Sequence, residues 1–136
     1  SGNSGRPMAY TSQEAYFDTL QGQAKLRLQA IQDRVQSLIP AATPCISYNM
    51  PAFRDKRVFL YFAAFKKHIG IYPPITKNAE LIQELALFRG PKGNLSFPFD
   101  QPLPMALIEG VVLALHKEYS FNGHRGFVHV RKSVWS

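Results

Sequence analysis

The sequence predicts an α+β domain: an antiparallel sheet, built as a three-strand meander plus a fourth strand, packed against N-terminal and C-terminal helices. Three observations predict it. Apolar residues recur at helical spacing near each end, as Leu28-Ile31-Val35-Leu38 and as Ile108-Val111-Val112-Leu115, and such stripes bury one face of a helix. Between them, Ile46–Tyr72 holds three strand-length runs separated by Arg54-Asp55-Lys56-Arg57 and Phe65-Lys66-Lys67. Connections that short join antiparallel neighbours.

Each element has its local warrant. Thr11-Ser12-Gln13-Glu14 has the form of a capping box, with Tyr16, Phe17 and Leu20 as a short apolar face behind it. Gly22 interrupts, and the spacing predicts a second helix from Gln23 to Leu38 that Pro40 ends. Strand one is read over Ile46–Phe53, where Ile46, Tyr48 and Met50 alternate with polar residues; Pro51 puts it at an edge or a bend. Val58–Ala64 is apolar on both faces and therefore central. His68–Tyr72 is strand three, with Ile69 and Ile71 on one face and His68 and Tyr72 on the other. Pro73-Pro74 stops it. Thr76 or Asn78 caps a short third helix bearing Leu81, Leu85 and Phe88. Leu95 and Phe97 mark the fourth strand, and Pro104 stands at the first turn of the last helix.

Composition narrows the class. The 136 residues are 46% apolar and 18% charged, which describes one globular domain. We divide the chain into residues 1–9, a leader or expression remnant; 10–119, the α+β domain; and 120–136, a basic C-terminal extension. The longest apolar run, Val58–Phe65, is too short to span a bilayer. A single cysteine, Cys45, and no secretory leader lead us to expect a reducing cytosol. The net charge of +7 favours acidic partners and argues against a site that collects bare cations.

No phosphate loop, nucleophile elbow, HExxH or paired-cysteine motif occurs, so catalysis is not expected. The four histidines give no converging set of three or four metal ligands. Aromatics are dense between Tyr48 and Tyr72, but the strands lack an RNA-binding signature, and nucleic acid is not the expected partner. Lys66, His68 and Tyr72 offer an ammonium, an imidazole and a phenol along one strand, a combination suited to an anionic or polar small ligand. Glu14 and Asp18 share a helix face at i and i+4, either as a weak cation site or as a solvated face.

Three blocks, Ser47–Phe53 (SYNMPAF), Tyr61–Pro73 (YFAAFKKHIGIYP) and Lys92–Pro98 (KGNLSFP) with Pro102-Leu103-Pro104, resemble the YdhG-like family of small bacterial proteins, a domain of unknown function. The likeness runs from about Tyr10 to Tyr119. It implies the α+β fold already derived and a cytosolic location. One branch of that family resembles frataxin, a two-layer sandwich, and is regarded as an intracellular iron chaperone supplying iron–sulfur cluster assembly or haem synthesis. That resemblance implies iron as cargo, Glu14 and Asp18 as its ligands on the first helix, and iron–sulfur assembly proteins or ferrochelatase as partners. The alternative is a non-catalytic binding module for an anionic small ligand or an acidic protein, using Tyr48, Met50, Phe53, Lys66, His68, Tyr72 and Lys92 on a basic, aromatic sheet face.

Overall fold

The computed structural model describes residues 10–121, with the side chain of Phe121 left aside. The leader and most of the C-terminal extension read from the sequence therefore lie outside the described residues. Helices α1 (Gln13–Phe17) and α2 (Gly22–Leu38) come first. Strands β1 (Thr43–Ser47), β2 (Met50–Asp55), β3 (Arg57–Ala64) and β4 (His68–Tyr72) follow. Then come α3 (Ala79–Glu84), a 3-10 turn (Ala86–Phe88), β5 (Leu95–Pro98), α4 (Met105–Leu115) and a π-helical turn (His116–Phe121). The five strands form one antiparallel sheet in the order β1-β2-β3-β4-β5. The fold class is as expected, with five strands in place of four. No helix among the described residues is long and apolar enough to cross a membrane.

The extra strand arises inside the run read as Ile46–Phe53. Tyr48 and Asn49 both take left-handed backbone, with φ of 53° and 60°. Two consecutive residues of that kind make the primed two-residue hairpin turn. Ser47 therefore pairs with Met50 and Cys45 with Ala52. Pro51 causes no fault, because the paired register of β2 with β3 begins only at Ala52. Beyond that point the Tyr16 hydroxyl substitutes for the ladder: it accepts from Ala64 N at 3.2 Å and donates to Ala64 O at 3.5 Å.

A bulge sets the faces of β3. Phe53 pairs with Leu60 and Arg54 with Val58, so Phe59 is the additional residue. Phe59 and Leu60 consequently both reach the main core, while Val58 packs on the opposite side with Ala52, Tyr61 and Tyr72. The main core joins Phe53, Phe62, Ile69, Ile71, Leu95 and Phe97 of the sheet to Leu28, Ile31 and Val35 of α2 and Ile108, Val111, Val112 and Leu115 of α4. The helical stripes read from the sequence are these same residues, except that Leu38 of the first stripe is only partly buried. At Gly110 an added Cβ would lie 3.5 Å from Leu81 Cδ1, so α3 sits directly on α4.

Two boundaries differ from expectation. The cap of α1 is Ser12, whose Oγ accepts from Ala15 N at 3.1 Å; Thr11 lies outside the helix, and Glu14 is exposed. The fold also continues past Tyr119: Ser120 is buried and its hydroxyl donates to the Asp55 carbonyl.

Candidate functional site

The face of the sheet turned away from α2 and α4 carries the candidate site. Cys45, Ala52, Tyr61 and Tyr72 form one row across β1 to β4 by strand register. Tyr48, at the β1–β2 turn, is 41% exposed and its ring lies 5.7 Å from that of Tyr61. The Tyr61 hydroxyl is 3.2 Å from Ser47 Oγ, and burial pushes its pKa up to about 12. Burial raises the Tyr72 phenol and the Cys45 thiol as well. These groups are therefore protonated at pH 7.

At the β3–β4 hairpin the same face becomes basic. The turn closes with Phe65 N donating to His68 O at 2.8 Å, which leaves Lys66 and Lys67 at the tip, both exposed. The Phe65 ring, 39% exposed, stacks on the His68 imidazole at 5.0 Å between centroids and 22° between planes. Gly70 makes this arrangement possible. A Cβ there would come within 2.8 Å of the Tyr72 hydroxyl and 2.9 Å of Phe65 Cε2. Desolvation lowers the pKa of His68, so its resting form is the neutral imidazole.

A third cation belongs to this end of the sheet. Arg27 of α2 donates to the carbonyls of Pro98 (3.3 Å) and Phe99 (3.2 Å), with its guanidinium 5.7 Å from the Phe99 ring centroid. Phe99 N in turn donates to Lys67 O at 3.0 Å, fastening the tip to the end of β5. Asp100, exposed in the next position, is the acidic residue adjoining this contact in sequence.

Of the residues nominated from sequence, Tyr48, Met50, His68 and Tyr72 lie on or border this face, and Lys66 stands at its tip. Phe53 does not: it is fully buried on the opposite face, stacked 5.7 Å from Phe62. Its placement follows from the turn at Tyr48-Asn49, which leaves Ala52 outward and Phe53 inward. Lys92 does not join Lys66 either. The β4–β5 register runs from His68↔Pro98 to Ile71↔Leu95, so Lys92 follows the opposite end of β4. Phe65, Gly70 and Arg27 were missed. Gly70 alone carried a readable signal, since glycine inside a strand marks a close approach.

The carboxylates read as iron ligands do not assemble. Glu14 and Asp18 are both exposed, and Asp18 Oδ1 lies 3.6 Å from Lys25 Nζ. Among the described residues no three His, Cys, Asp or Glu side chains gather into a group that could hold a metal ion. Two solvated carboxylates with an ammonium beside one of them do not fit a hard cation, which takes several oxygens at once.

The fold is shared with a DUF1801-family protein, YdhG, of Bacillus subtilis: 18% identity, TM-score 0.64, covering 79% of this chain and 94% of that one. An uncharacterized conserved protein from Lactobacillus casei aligns at 18% identity with a TM-score of 0.49, covering 84% of this chain and 99% of that one. No protein-family model and no curated protein matches the chain. At this identity the likeness to the Bacillus protein establishes the fold.

Proposed function

We propose that this chain is a non-catalytic binding protein of the YdhG type that takes an anionic ligand at the β3–β4 hairpin tip. The observation that carries the reading is the half-exposed Phe65–His68 stack with Lys66 and Lys67 between its two members. The ammonium groups attract phosphate or carboxylate, and the open face of Phe65 receives a flat apolar portion of the same ligand. His68 completes the site by gaining a proton when the anion arrives, since a nearby negative charge favours the imidazolium.

The test is titration of the purified protein with inorganic pyrophosphate and with a nucleoside monophosphate, followed by amide chemical shifts. Saturable shifts over residues 65–70 that weaken with salt, persist in chelator and vanish in Lys66→Ala/Lys67→Ala support the reading. Stronger binding of the nucleotide than of pyrophosphate assigns a role to the Phe65 face. Absence of shifts with both probes, or shifts confined to other elements, overturns it. Iron delivery rests on the frataxin-like resemblance alone, and no grouping of side chains among the described residues favours it. Anaerobic titration of ferrous iron into the protein and into Glu14→Ala/Asp18→Ala decides that question separately.

A further inference from the structure

On the other side of the molecule, α4 and the segment leading into α3 leave a cleft. Its inner part has a volume of about 290 Å³, with Ile75, Ala79 and Ala114 as its apolar lining and Lys77, Lys117 and Glu118 as its charged one. A second part of about 390 Å³ shares Asn78, Ala114 and Lys117 and adds Glu80, Glu84, Gly110 and Leu113. Ala79 and Ala114, whose side chains end at Cβ, leave room beside α4, and Leu81 packs over Gly110 in the outer part. Leu113, 48% exposed, and the buried Leu81 are the large apolar residues of its outer part. Each part is near the lower end of the size range of small-ligand sites.

The charges are ordered along the cleft. Lys77 lines the inner part, Glu80 and Glu84 line the outer part, and Lys117 lines both. Among the described residues none of Lys77, Glu80, Glu84 and Lys117 is engaged in an ion pair. Glu118 is different. It is only 3% exposed, and its two carboxylate oxygens accept from Thr76 N at 3.1 Å and from the Thr76 hydroxyl. It is thus a fixed wall, held by the π-helical turn that also carries Lys117, and such turns recur at functional sites. A polyanion entering here meets Glu118, Glu80 and Glu84; a simple cation meets the two lysines. A ligand with a carboxylate at one end and an ammonium at the other meets the complementary charge at both.

We propose that this cleft binds a small zwitterion of amino-acid chemistry. Its carboxylate lies at Lys77 and Lys117, its ammonium toward Glu80 and Glu84, and an apolar side chain rests on Ala114 and Leu113. The chemistry is common to a free amino acid and to a short peptide. The full-length protein is therefore titrated with leucine and with the dipeptide glycyl-leucine, reading amide shifts of residues 75–79 and 110–117.

N-acetyl-leucine and leucinamide, each lacking one of the two charges, are run alongside, and so is the exposed-site variant Lys117→Gln. Saturable shifts with leucine or the dipeptide, weakened about tenfold for both blocked analogues and in Lys117→Gln, support the proposal. The tighter of the two zwitterions identifies the source. Binding of N-acetyl-leucine as tight as that of leucine, binding unchanged in Lys117→Gln, or no shift with either zwitterion at millimolar concentration overturns it. The hairpin tip lies outside the residues read, so failure here leaves the tip's own titration unaffected.

Discussion

Gly70 shows how one missing carbon shapes the outer face of the sheet. Both the Tyr72 hydroxyl and the Phe65 ring occupy the volume a β-carbon would fill. Gly70→Ala should therefore displace Phe65 from His68 and destabilise the fold by about 1–3 kcal/mol, the usual cost of overpacking. Urea denaturation measures the stability change, and the His68 ring signals in NMR report the lost stack. His68 itself makes a second prediction. Its pKa is lowered in the folded protein, so the unfolded chain takes up the proton first as pH falls. The stability contributed by the neutral imidazole is complete above the unfolded value near 6.5 and is lost as pH drops through the folded value. Denaturation midpoints at pH 7.5 and 5 should therefore differ more for the parent than for His68→Gln; equal differences refute the link. Residue-scale detail of this kind was partly legible. The lysines and histidine of the tip announce themselves by type, whereas the role of Arg27 depends on carbonyls 71 and 72 positions away, which no local pattern reveals.

Among the α-helices, α1 is the shortest and cannot stand by itself. At five residues it is far below the length at which an isolated helix holds together. It is held by side chains that reach the sheet backbone. The Gln13 amide donates to Ala52 O at 2.7 Å and to Cys45 O at 3.1 Å, while its oxygen accepts from Gln32 Nε2 at 2.8 Å. Both donors of one buried amide are used, and α1, α2 and the β1–β2 hairpin meet at this residue. Gln13→Ala should cost about 1–3 kcal/mol in urea denaturation and increase hydrogen exchange through residues 10–17 before the rest of the fold. The stripes of α2 and α4 were legible because helical period is a property of the chain alone. The β1–β2 hairpin was not. The even spacing of Ile46, Tyr48 and Met50 imitates one continuous strand, although the turn puts Ile46 and Met50 on opposite faces, and neither Tyr48 nor Asn49 is the glycine that usually signals such a turn. The bulge at Phe59 escaped for the converse reason: it shifts the faces inside a run that is apolar throughout.

At the scale of the whole molecule the sheet is open, and its edges are β1 and β5. Ser47 and Met50 flank the two-residue turn and bond each other, so Pro44 and Ile46 turn their backbone polar groups outward. Pro44 has no N–H to offer a foreign strand, and β5 is only four residues long and ends at Pro98. Both are devices that blunt an edge. Pro44→Val should restore a donor there and increase concentration-dependent association relative to the parent, read by light scattering. The salt bridge between Arg34 and Glu109 ties α2 to α4 across the surface, but at this exposure it contributes little. Burial of α4 is what unites the halves, with Ile108, Val111, Val112 and Leu115 all fully enclosed. That fact bears on how the protein is made. Each strand pairs with the one synthesised just before it, so the meander can assemble as it leaves the ribosome. The residues it presents to α4 stay wet until Leu115 has been translated, some forty residues after β4 closes. At roughly 5–20 residues per second that interval is on the order of seconds. During it the nascent chain is a sticky half-sandwich, and a ribosome stalled before the last helix would release a client for chaperones.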